Sequence, residues 1–251
     1  MKDKEYMDLM EKVNEKVMKE DYEGAMKIID EAIEKNDDER IWITKGTILM
    51  DLNEMEDAIK CFDNALEINA DNEFATAFKG VALYRIGEEN EGERCFDKVL
   101  SINPKNFIAL YWKGVAEGGR GKRENEIKLK GESAFILFAT GGDVEALNIF
   151  REVYYSGLDI PIRYECGVAY AGILDYVLMM EENEKLEEEY NAIILDCWEN
   201  RERICKSAQI LLADMMGEEV EEKIAVNNEK DFVFKKLFEP WFNEMGGENG
   251  N

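Results

Sequence analysis

The side chains that most often carry enzyme chemistry are scarce in this sequence. It contains no histidine, which removes the commonest general base, a frequent metal ligand and every nucleophile that an imidazole activates. Its five cysteines include no Cys-x-x-Cys pair, and Cys61 and Cys95 stand at corresponding places in two similar segments, as core residues would. Acid–base work would fall to carboxylates and lysines. We therefore predict a non-enzymatic protein that holds no metal and no cofactor.

The charge balance narrows the range of partners. Asp and Glu number 56 against 31 Lys and Arg, so the net charge is −25. Such a field repels phosphate backbones, which predicts that the protein binds no nucleic acid, while it favours solubility and basic partners. No stretch of about 18 apolar residues could span a membrane, and no apolar leader follows Met1. With the odd number of cysteines, these features predict a cytoplasmic location without membrane contact.

Three lysines, Lys45, Lys79 and Lys113, recur at intervals of 34 residues. They could form a basic row for an acidic ligand, or their alkyl stems could pack on neighbouring side chains while the ammonium groups reach water. Each lysine precedes a glycine inside a longer repeated string, so the interval points first to a repeated structural unit. The three strings are Ile43-Thr44-Lys45-Gly46, Ala77-Phe78-Lys79-Gly80 and Tyr111-Trp112-Lys113-Gly114.

The second half of the unit repeats as well, since the segment 58–69 aligns with 92–103 at the same period. Apolar residues in both halves recur at helical spacing, which predicts two amphipathic helices per unit. Small residues would let the two helices approach, large ones would fill the space around the crossing, and proline would end a unit. The residues assigned to this packing are Trp42, Gly46, Ala58, Phe62, Ala65, Gly80, Phe96, Pro104 and Gly114.

These strings resemble the tetratricopeptide-repeat family. The resemblance is strongest over 39–106 and extends to four repeats at about 5–38, 39–72, 73–106 and 107–140, which form a predicted domain 1–140. It implies an all-α fold of antiparallel helical hairpins stacked as a right-handed superhelix, an α-solenoid. Residues 141–251 are expected to continue as a degenerate helical half with a C-terminal cap.

The fourth unit departs from the pattern, because Glu126 stands where a small residue is expected twelve positions after Gly114. An insertion that enlarges the turn at 120–125 would restore a small–aromatic pair at Gly131 and Phe135.

Alternatively, a fresh repeat opens at 129–131 and has Ala146 and Phe150 in its second helix. The sequence leaves both registers open.

The family resemblance implies a concave groove lined by the first helix of each repeat, where a peptide or helix of a partner protein would bind. The groove is assigned to positions just before and after each repeat glycine. This surface is apolar and aromatic with arginines at its edges, although neighbouring helices could cover it. The residues are Arg40, Ile43, Thr47, Met50, Phe74, Ala77, Val81, Tyr84, Arg85, Ile108, Tyr111 and Val115.

A last amphipathic helix is predicted at 229–245, with an apolar stripe that includes Phe234, Leu237 and Trp241. We expect it to cap the helical array, with Pro240 marking a kink or break. The alternative is a segment that binds a partner or the groove of its own or a neighbouring chain, which would allow self-association.

The predicted function is a protein–protein interaction scaffold. Two alternatives are an enzyme or small-molecule sensor with its site in 141–251, and a homo-oligomeric structural protein.

Overall fold

The computed structural model describes residues 1–180, 183–218 and 227–238. Over these residues the predicted all-α class is confirmed. None of the described helices is long and apolar enough to cross a membrane. The helices are α1 Asp3–Met18, α2 Tyr22–Ile33, α3 Glu39–Asp51, α4 Met55–Ile68, α5 Glu73–Arg85, α6 Glu89–Ile102, α7 Phe107–Gly119, α8 Arg123–Ala139, α9 Asp143–Tyr154, α10 Pro161–Met180, α11 Glu184–Glu199, α12 Lys206–Met215 and α13 Glu229–Phe238.

The chain forms two compact units, Met1–Ala109 and Leu110–Asn251, called here unit 1 and unit 2. The expected division at residue 140 instead falls inside unit 2, in the turn between α8 and α9. The reason is that α8 packs against α9 as one hairpin, so a cut at this turn would separate two packed helices.

Four successive first helices, α1, α3, α5 and α7, end in the same kind of turn. The second residue after each helix has a positive φ, at Glu20, Asn53, Gly87 and Gly121. The next backbone N–H then bonds to a carbonyl five residues back, as in Lys122 N to Glu117 O at 3.0 Å, which stops the helix. The positive-φ residues of successive turns are 33, 34 and 34 positions apart, so the first interval is one residue shorter than the next two.

The second helices α4 and α6 end differently, with an asparagine in extended conformation. The Asn69 side chain donates to Glu39 Oε1 at 3.2 Å, and Asn103 donates to Glu73 Oε2 at 2.7 Å. Each bond ties the end of a hairpin to the start of that hairpin's first helix. This bond recurs with the sequence period and fixes the α3–α4 and α5–α6 hairpins in the same way.

The small–large packing predicted from the sequence is visible inside unit 1. A Cβ placed on Gly46 would lie 2.5 Å from the Phe62 ring, and one on Gly80 would lie 2.7 Å from the Phe96 ring. Ala58, Phe62 and Phe96 have no exposed surface. Replacement of either glycine would therefore push the two helices of its hairpin apart.

The fourth repeat keeps its register, and the enlarged turn proposed for 120–125 is wrong. The turn spans only the residues between α7 and α8, and it has the same positive-φ glycine as the repeat before it. A Cβ on Gly114 would lie 3.0 Å from the carbonyl oxygen of Glu126, so these two positions face each other as Gly80 and Gly92 do. Glu126 and Lys130 thus occupy the small and the aromatic position of the repeat.

The fresh repeat beyond residue 129 is present as the hairpin α8–α9, in which Ala146 and Phe150 are fully buried. Helix α8 ends with positive φ at Gly141 and with Gly142 N bonded to Leu137 O at 3.0 Å, the ending of a first helix. Helix α8 therefore begins as the second helix of one hairpin and ends as the first helix of the next. Neither of the two registers considered from the sequence predicts that one helix belongs to two hairpins.

Candidate functional site

The predicted groove residues of unit 1 differ in exposure. Four are buried and offer no side-chain surface: Met50, Ala77, Val81 and Ile108. Ile43, Thr47 and Tyr84 are half-buried. Phe74 is 46% exposed, and Arg85 is exposed at the other end of the same helix. The open part of the surface is therefore narrower than the sequence pattern indicated.

Arg40 does not offer its guanidinium to a partner. It donates to Asp3 at 2.8 Å and to Asp38 at 2.8 Å, and it lies 4.3 Å above the ring of Tyr6. The hydrogen bonds from Arg40 lower the pKa of the Asp38 carboxyl to about 2. This arginine anchors α1 onto α3, so its predicted role at the groove edge is corrected to a structural one.

The exposed residues of α5 define the candidate surface. Phe74 and Arg85 are separated by eleven residues, close to three helical turns, so they lie on one face about 16 Å apart along the axis. Buried Ala77 and Val81 lie between them and form an apolar floor. Arg85 has no hydrogen bond or ion pair with any residue that the structure describes. This arrangement offers one aromatic anchor and one unpaired cation.

Two of the repeated lysines are already paired within unit 1. Lys45 Nζ lies 2.6 Å from Asp30, and Lys79 Nζ lies 2.5 Å from Asp63. Each aspartate belongs to the second helix of the preceding hairpin, so the ion pairs join successive hairpins. These two lysines stabilise the contact between successive repeats. Because their charges are paired, they do not support a basic row that binds an acidic ligand.

The family match comes from the same region. Residues 39–72 match the family model of the tetratricopeptide repeat, and this interval holds the α3–α4 hairpin. The α5–α6 hairpin repeats its turn and its glycine–phenylalanine contact 34 residues later. Residues 39–72 therefore form a tetratricopeptide repeat, and residues 73–102 repeat its hairpin.

Several solved tetratricopeptide-repeat structures are similar to this chain at low identity. MamA 41-end from Desulfovibrio magneticus RS-1 is 20% identical, with 61% of this chain and 94% of that chain covered and a TM-score of 0.44. A tetratricopeptide repeat protein from Parabacteroides merdae is 19% identical, with 93% and 98% covered and a TM-score of 0.44. YrrB, described as a TPR protein with an unusual peptide-binding site, is 20% identical, with 75% and 97% covered and a TM-score of 0.37. At these TM-scores the similarities carry no argument about a site.

No curated protein matches the chain. The tetratricopeptide repeat at 39–72 supports a role as a protein–protein interaction scaffold.

The last two predicted groove residues, Tyr111 and Val115, belong to unit 2 and are half-buried there. The ammonium group of Lys130 lies 5.3 Å from the centre of the Tyr111 ring, and burial raises the pKa of the tyrosine hydroxyl. The tyrosine face is thus already occupied by a cation. We therefore treat the α3–α5 surface of unit 1 as a site of its own.

A buried charge cluster in unit 2 was missed by the sequence interpretation. Lys130 is 6% exposed and bonds to Glu126 at 2.9 Å and to Glu152 at 2.6 Å. Glu126 is 7% exposed and also accepts from Arg123 at 2.7 Å. The sequence does contain a signal for the cluster, since charged residues stand at the small and aromatic positions of the repeat, but spacing alone does not distinguish it from a change of register. The two cations and the two carboxylates of this cluster pair with each other, so no charged group is left to bind a ligand.

The cysteines do not form a metal-binding centre within the described residues, where no group of three His, Cys, Asp or Glu side chains is arranged to hold a metal. All five thiols are free. Burial raises the pKa of Cys61 to about 11, that of Cys197 to about 12 and that of Cys205 to about 11. A thiol with such a pKa is almost entirely protonated at neutral pH and is a poor nucleophile.

Proposed function

We propose that the α3–α5 face of unit 1 binds a peptide or helical segment of a partner protein. The observation that carries the proposal is the exposure of Phe74, which is 46% exposed beside the buried floor of Ala77 and Val81. A large aromatic side chain in water on a first helix is the kind of anchor that protein interfaces use. The half-buried Ile43 and Thr47 on α3 would extend the same surface.

Charge adds a second element of recognition. The Arg85 guanidinium can bind a carboxylate of the partner in a bidentate manner. The chain as a whole has a net charge of −25, and its acidic field attracts basic residues that flank the bound segment. The expected ligand is a segment with an apolar anchor at Phe74, one acidic residue near Arg85 and basic residues on either side.

The proposed role is non-enzymatic and needs no cofactor. Its support is the absence of histidine from the sequence and the high pKa of the thiols named above. Binding at α3–α5 would use the rigidity of the hairpins, since each first helix is fixed by its own turn and its own asparagine bond.

A site-specific crosslinker tests the location of the site. A photoreactive phenylalanine analogue replaces Phe74 in the full chain, and a control chain carries it at Glu67, an exposed position on the second helix α4. After irradiation in native lysate, mass spectrometry identifies the protein that is joined at position 74 and not at 67. Equal crosslinking from both positions, or none at 74 with a partner captured elsewhere, would refute the site.

Affinity for the identified partner then tests the two anchors. Phe74→Ala should weaken binding by roughly tenfold or more, because a buried aromatic anchor contributes a large share of interface energy. Arg85→Glu should weaken binding too, and the loss should shrink at high salt because charge attraction is screened. Circular dichroism checks that both variants keep the helical content of the wild type. Unchanged affinity in both variants would move the site away from α5.

A further inference from the structure

Unit 2 contains its own set of first helices. Helices α8 and α12 end with positive φ at Gly141 and Gly217, and each has the five-residue backbone bond seen after the first helices of unit 1. Helix α10 pairs with α11 as α8 pairs with α9. Helices α8 and α10 pack together, as do α10 and α12, in the way that α3 packs on α5. In this class of hairpin array, adjacent first helices line one common surface.

Helix α13 lies on that surface. Its main packing partners are α8, α10 and α12, and in the described part of the chain α9 and α11 are not among them. Val233 and Phe234 of α13 have no exposed surface, and Leu237 is 5% exposed. The C-terminal helix of the chain therefore covers the first helices and leaves the second helices to other neighbours.

Named contacts fix the register of α13 on each first helix. On α8, the Phe234 ring lies 5.3 Å from the Phe135 ring at a tilt of 60°. On α10, Lys230 Nζ lies 2.6 Å from Glu165 Oε2. One helix thus makes an aromatic contact and an ion pair with two different first helices.

Further contacts complete the register. On α12, Ser207 donates a hydrogen bond to Asp231, whose carboxylate also accepts from Asn227 N at 3.1 Å. Gly172 of α10 faces Leu237, since a Cβ there would lie 3.4 Å from Leu237 Cδ1, an ordinary van der Waals distance.

The contact at Phe135 falls on the groove position of the repeat. Phe150 follows Ala134 by sixteen residues, the same offset that separates Gly46 from Phe62. Ala134 therefore corresponds to Gly46, the small residue at the helix crossing. Phe135 follows Ala134 as the predicted groove residue Thr47 follows Gly46. Helix α13 accordingly lies where the repeat pattern places a bound segment.

We propose that the surface formed by α8, α10 and α12 is a helix-binding groove, that α13 is its tethered occupant, and that a partner helix with the same Lys-Asp-x-x-Phe-x-x-Leu pattern displaces α13. Phe234 and Leu237 supply the apolar anchors, while Lys230 and Asp231 set the register by pairing with Glu165 and Ser207. This groove belongs to unit 2 and is independent of the proposed α3–α5 site in unit 1.

The dimensions of α13 suit an exchangeable occupant. It has only 10 residues, and helices of this length are marginal without a surface to pack on. Residues 216–228 separate it from α12 along the chain. While tethered, it competes with a free helix at an effective concentration on the order of millimolar.

The groove is incompletely filled at the start of α13. A cavity of about 290 Å³ lies beside Lys230 and Glu165 and is lined on α8 by Lys128 and Glu132. A partner helix that reached into this space would make contacts that α13 does not, which would help it to displace a tethered competitor.

Peptide binding to the full chain tests the groove. The probe is a fluorescein-labelled peptide of residues 227–238, and its binding is measured by fluorescence anisotropy. The double variant Phe234→Ala/Leu237→Ala weakens the tethered helix and leaves the groove intact, so it should bind the peptide at least roughly tenfold more tightly than the wild type. Phe232→Ala is the matched control, because Phe232 is 43% exposed on the same helix and should leave peptide affinity unchanged.

A peptide with Phe234→Ala should bind the double variant at least roughly tenfold more weakly, because it lacks the aromatic anchor. If the double variant remains helical and melts cooperatively yet does not bind the wild-type peptide, α13 is an ordinary core helix and the proposal fails.

Hydrogen exchange of the unmodified chain gives a second test if the double variant loses its fold. The amides of α13 should exchange at least roughly tenfold faster than those of α10, because α13 leaves the groove by a local opening. Excess peptide should accelerate their exchange further by occupying the emptied groove. Equal protection of α13 and α10 that does not respond to the peptide would overturn the proposal. All of these measurements concern unit 2, so the unit 1 proposal stands or falls separately.

Discussion

The helix crossings of unit 1 and the first crossing of unit 2 share one register but use opposite chemistry. In unit 1, Gly46 faces Phe62, and the crossing is apolar. In unit 2, Gly114 faces the turn of α8 that carries Glu126 and Lys130. The offset of sixteen residues is the same in both, so the backbone geometry of the repeat survives a change from a phenylalanine to a lysine.

The difference shows what the repeat position actually requires. A phenylalanine fills the crossing through apolar burial, which needs no specific partner. A buried lysine is tolerated only because Glu126 and Glu152 accept its hydrogen bonds at 2.9 and 2.6 Å. Breaking one member of such a group costs more than replacing the whole group by apolar residues. The two units should therefore respond differently to single substitutions.

The largest expected effect is the loss of an aromatic side chain from unit 1. Phe62→Ala should lower the free energy of unfolding by about 3–5 kcal/mol, since Phe62 is fully buried and the neighbouring glycine cannot fill the cavity. Hydrogen exchange of α3 and α4 measures the change locally. Phe74→Ala is the control and should change stability by less than about 0.5 kcal/mol because this side chain is partly in water. Similar losses for both variants would contradict the assigned packing.

The charge cluster should give the next largest effect. Lys130→Met should lower the free energy of unfolding by about 3 kcal/mol. The buried carboxylate of Glu126 would then keep only Arg123, which is exposed, as a cationic partner. The double variant Glu126→Ala/Lys130→Phe restores the residue types of unit 1 and should be neutral or up to about 4 kcal/mol more stable than the wild type. Urea denaturation with hydrogen exchange of α8 measures both. A double variant that is less stable than Lys130→Met would show that the ion cluster is itself stabilising.

Acid should release the anchor of α1 in unit 1. The pKa of Asp38 is lowered from 3.8 to about 2, so its stabilising effect is complete above the unfolded-state value and is lost as the pH falls through about 2. The maximum effect is about 2 kcal/mol. Exchange of α1 amides should therefore accelerate between pH 4 and pH 2 more than exchange of α3 amides. Asp38→Asn should abolish this difference, whereas Asp37→Asn, at an exposed neighbouring position, should preserve it.

The smallest effect concerns the turn that both units share. Glu20 has a φ of 57°, a conformation that costs a residue with a side chain about 1 kcal/mol. Glu20→Gly should stabilise α1 by about 0.5–1 kcal/mol. Gly121→Ala in unit 2 should lose a similar amount, and because nothing lies within 4 Å of the added Cβ, the loss would report backbone strain alone. Thermal melting of both variants checks the opposite signs.

The repeat pattern alone was enough to predict the hairpins and their closest contacts. Gly46 against Phe62 and Gly80 against Phe96 follow from spacing, because residues sixteen apart across a short turn must meet when two helices fold back on each other. The same reasoning gave a wrong register for the fourth repeat. It treated Glu126 as a sign of insertion because a charge at a buried position is costly unless partners are present.

The candidate site was less predictable than the fold. The sequence could assign Ala77, Phe74 and Arg40 to one stripe of the first helices, but it could not show which of them the neighbours cover. Ala77 is buried, Phe74 is exposed and Arg40 is bound to Asp3, thirty-seven residues away along the chain. Burial and ion pairing depend on which distant side chains arrive, and spacing within one helix holds no information about them.

The location of the C-terminal helix was likewise not predictable from the sequence. The sequence predicted an apolar helix at 229–245, and α13 is present at Glu229–Phe238, while Pro240, Trp241 and Met245 lie outside the described residues. The hydrophobic stripe determined that this helix must bury Phe234 and Leu237, because so much apolar surface is unfavourable in water. Only the tertiary structure placed it on α8, α10 and α12, because this location depends on the fit of its side chains to Phe135, Glu165 and Ser207, far away in the sequence.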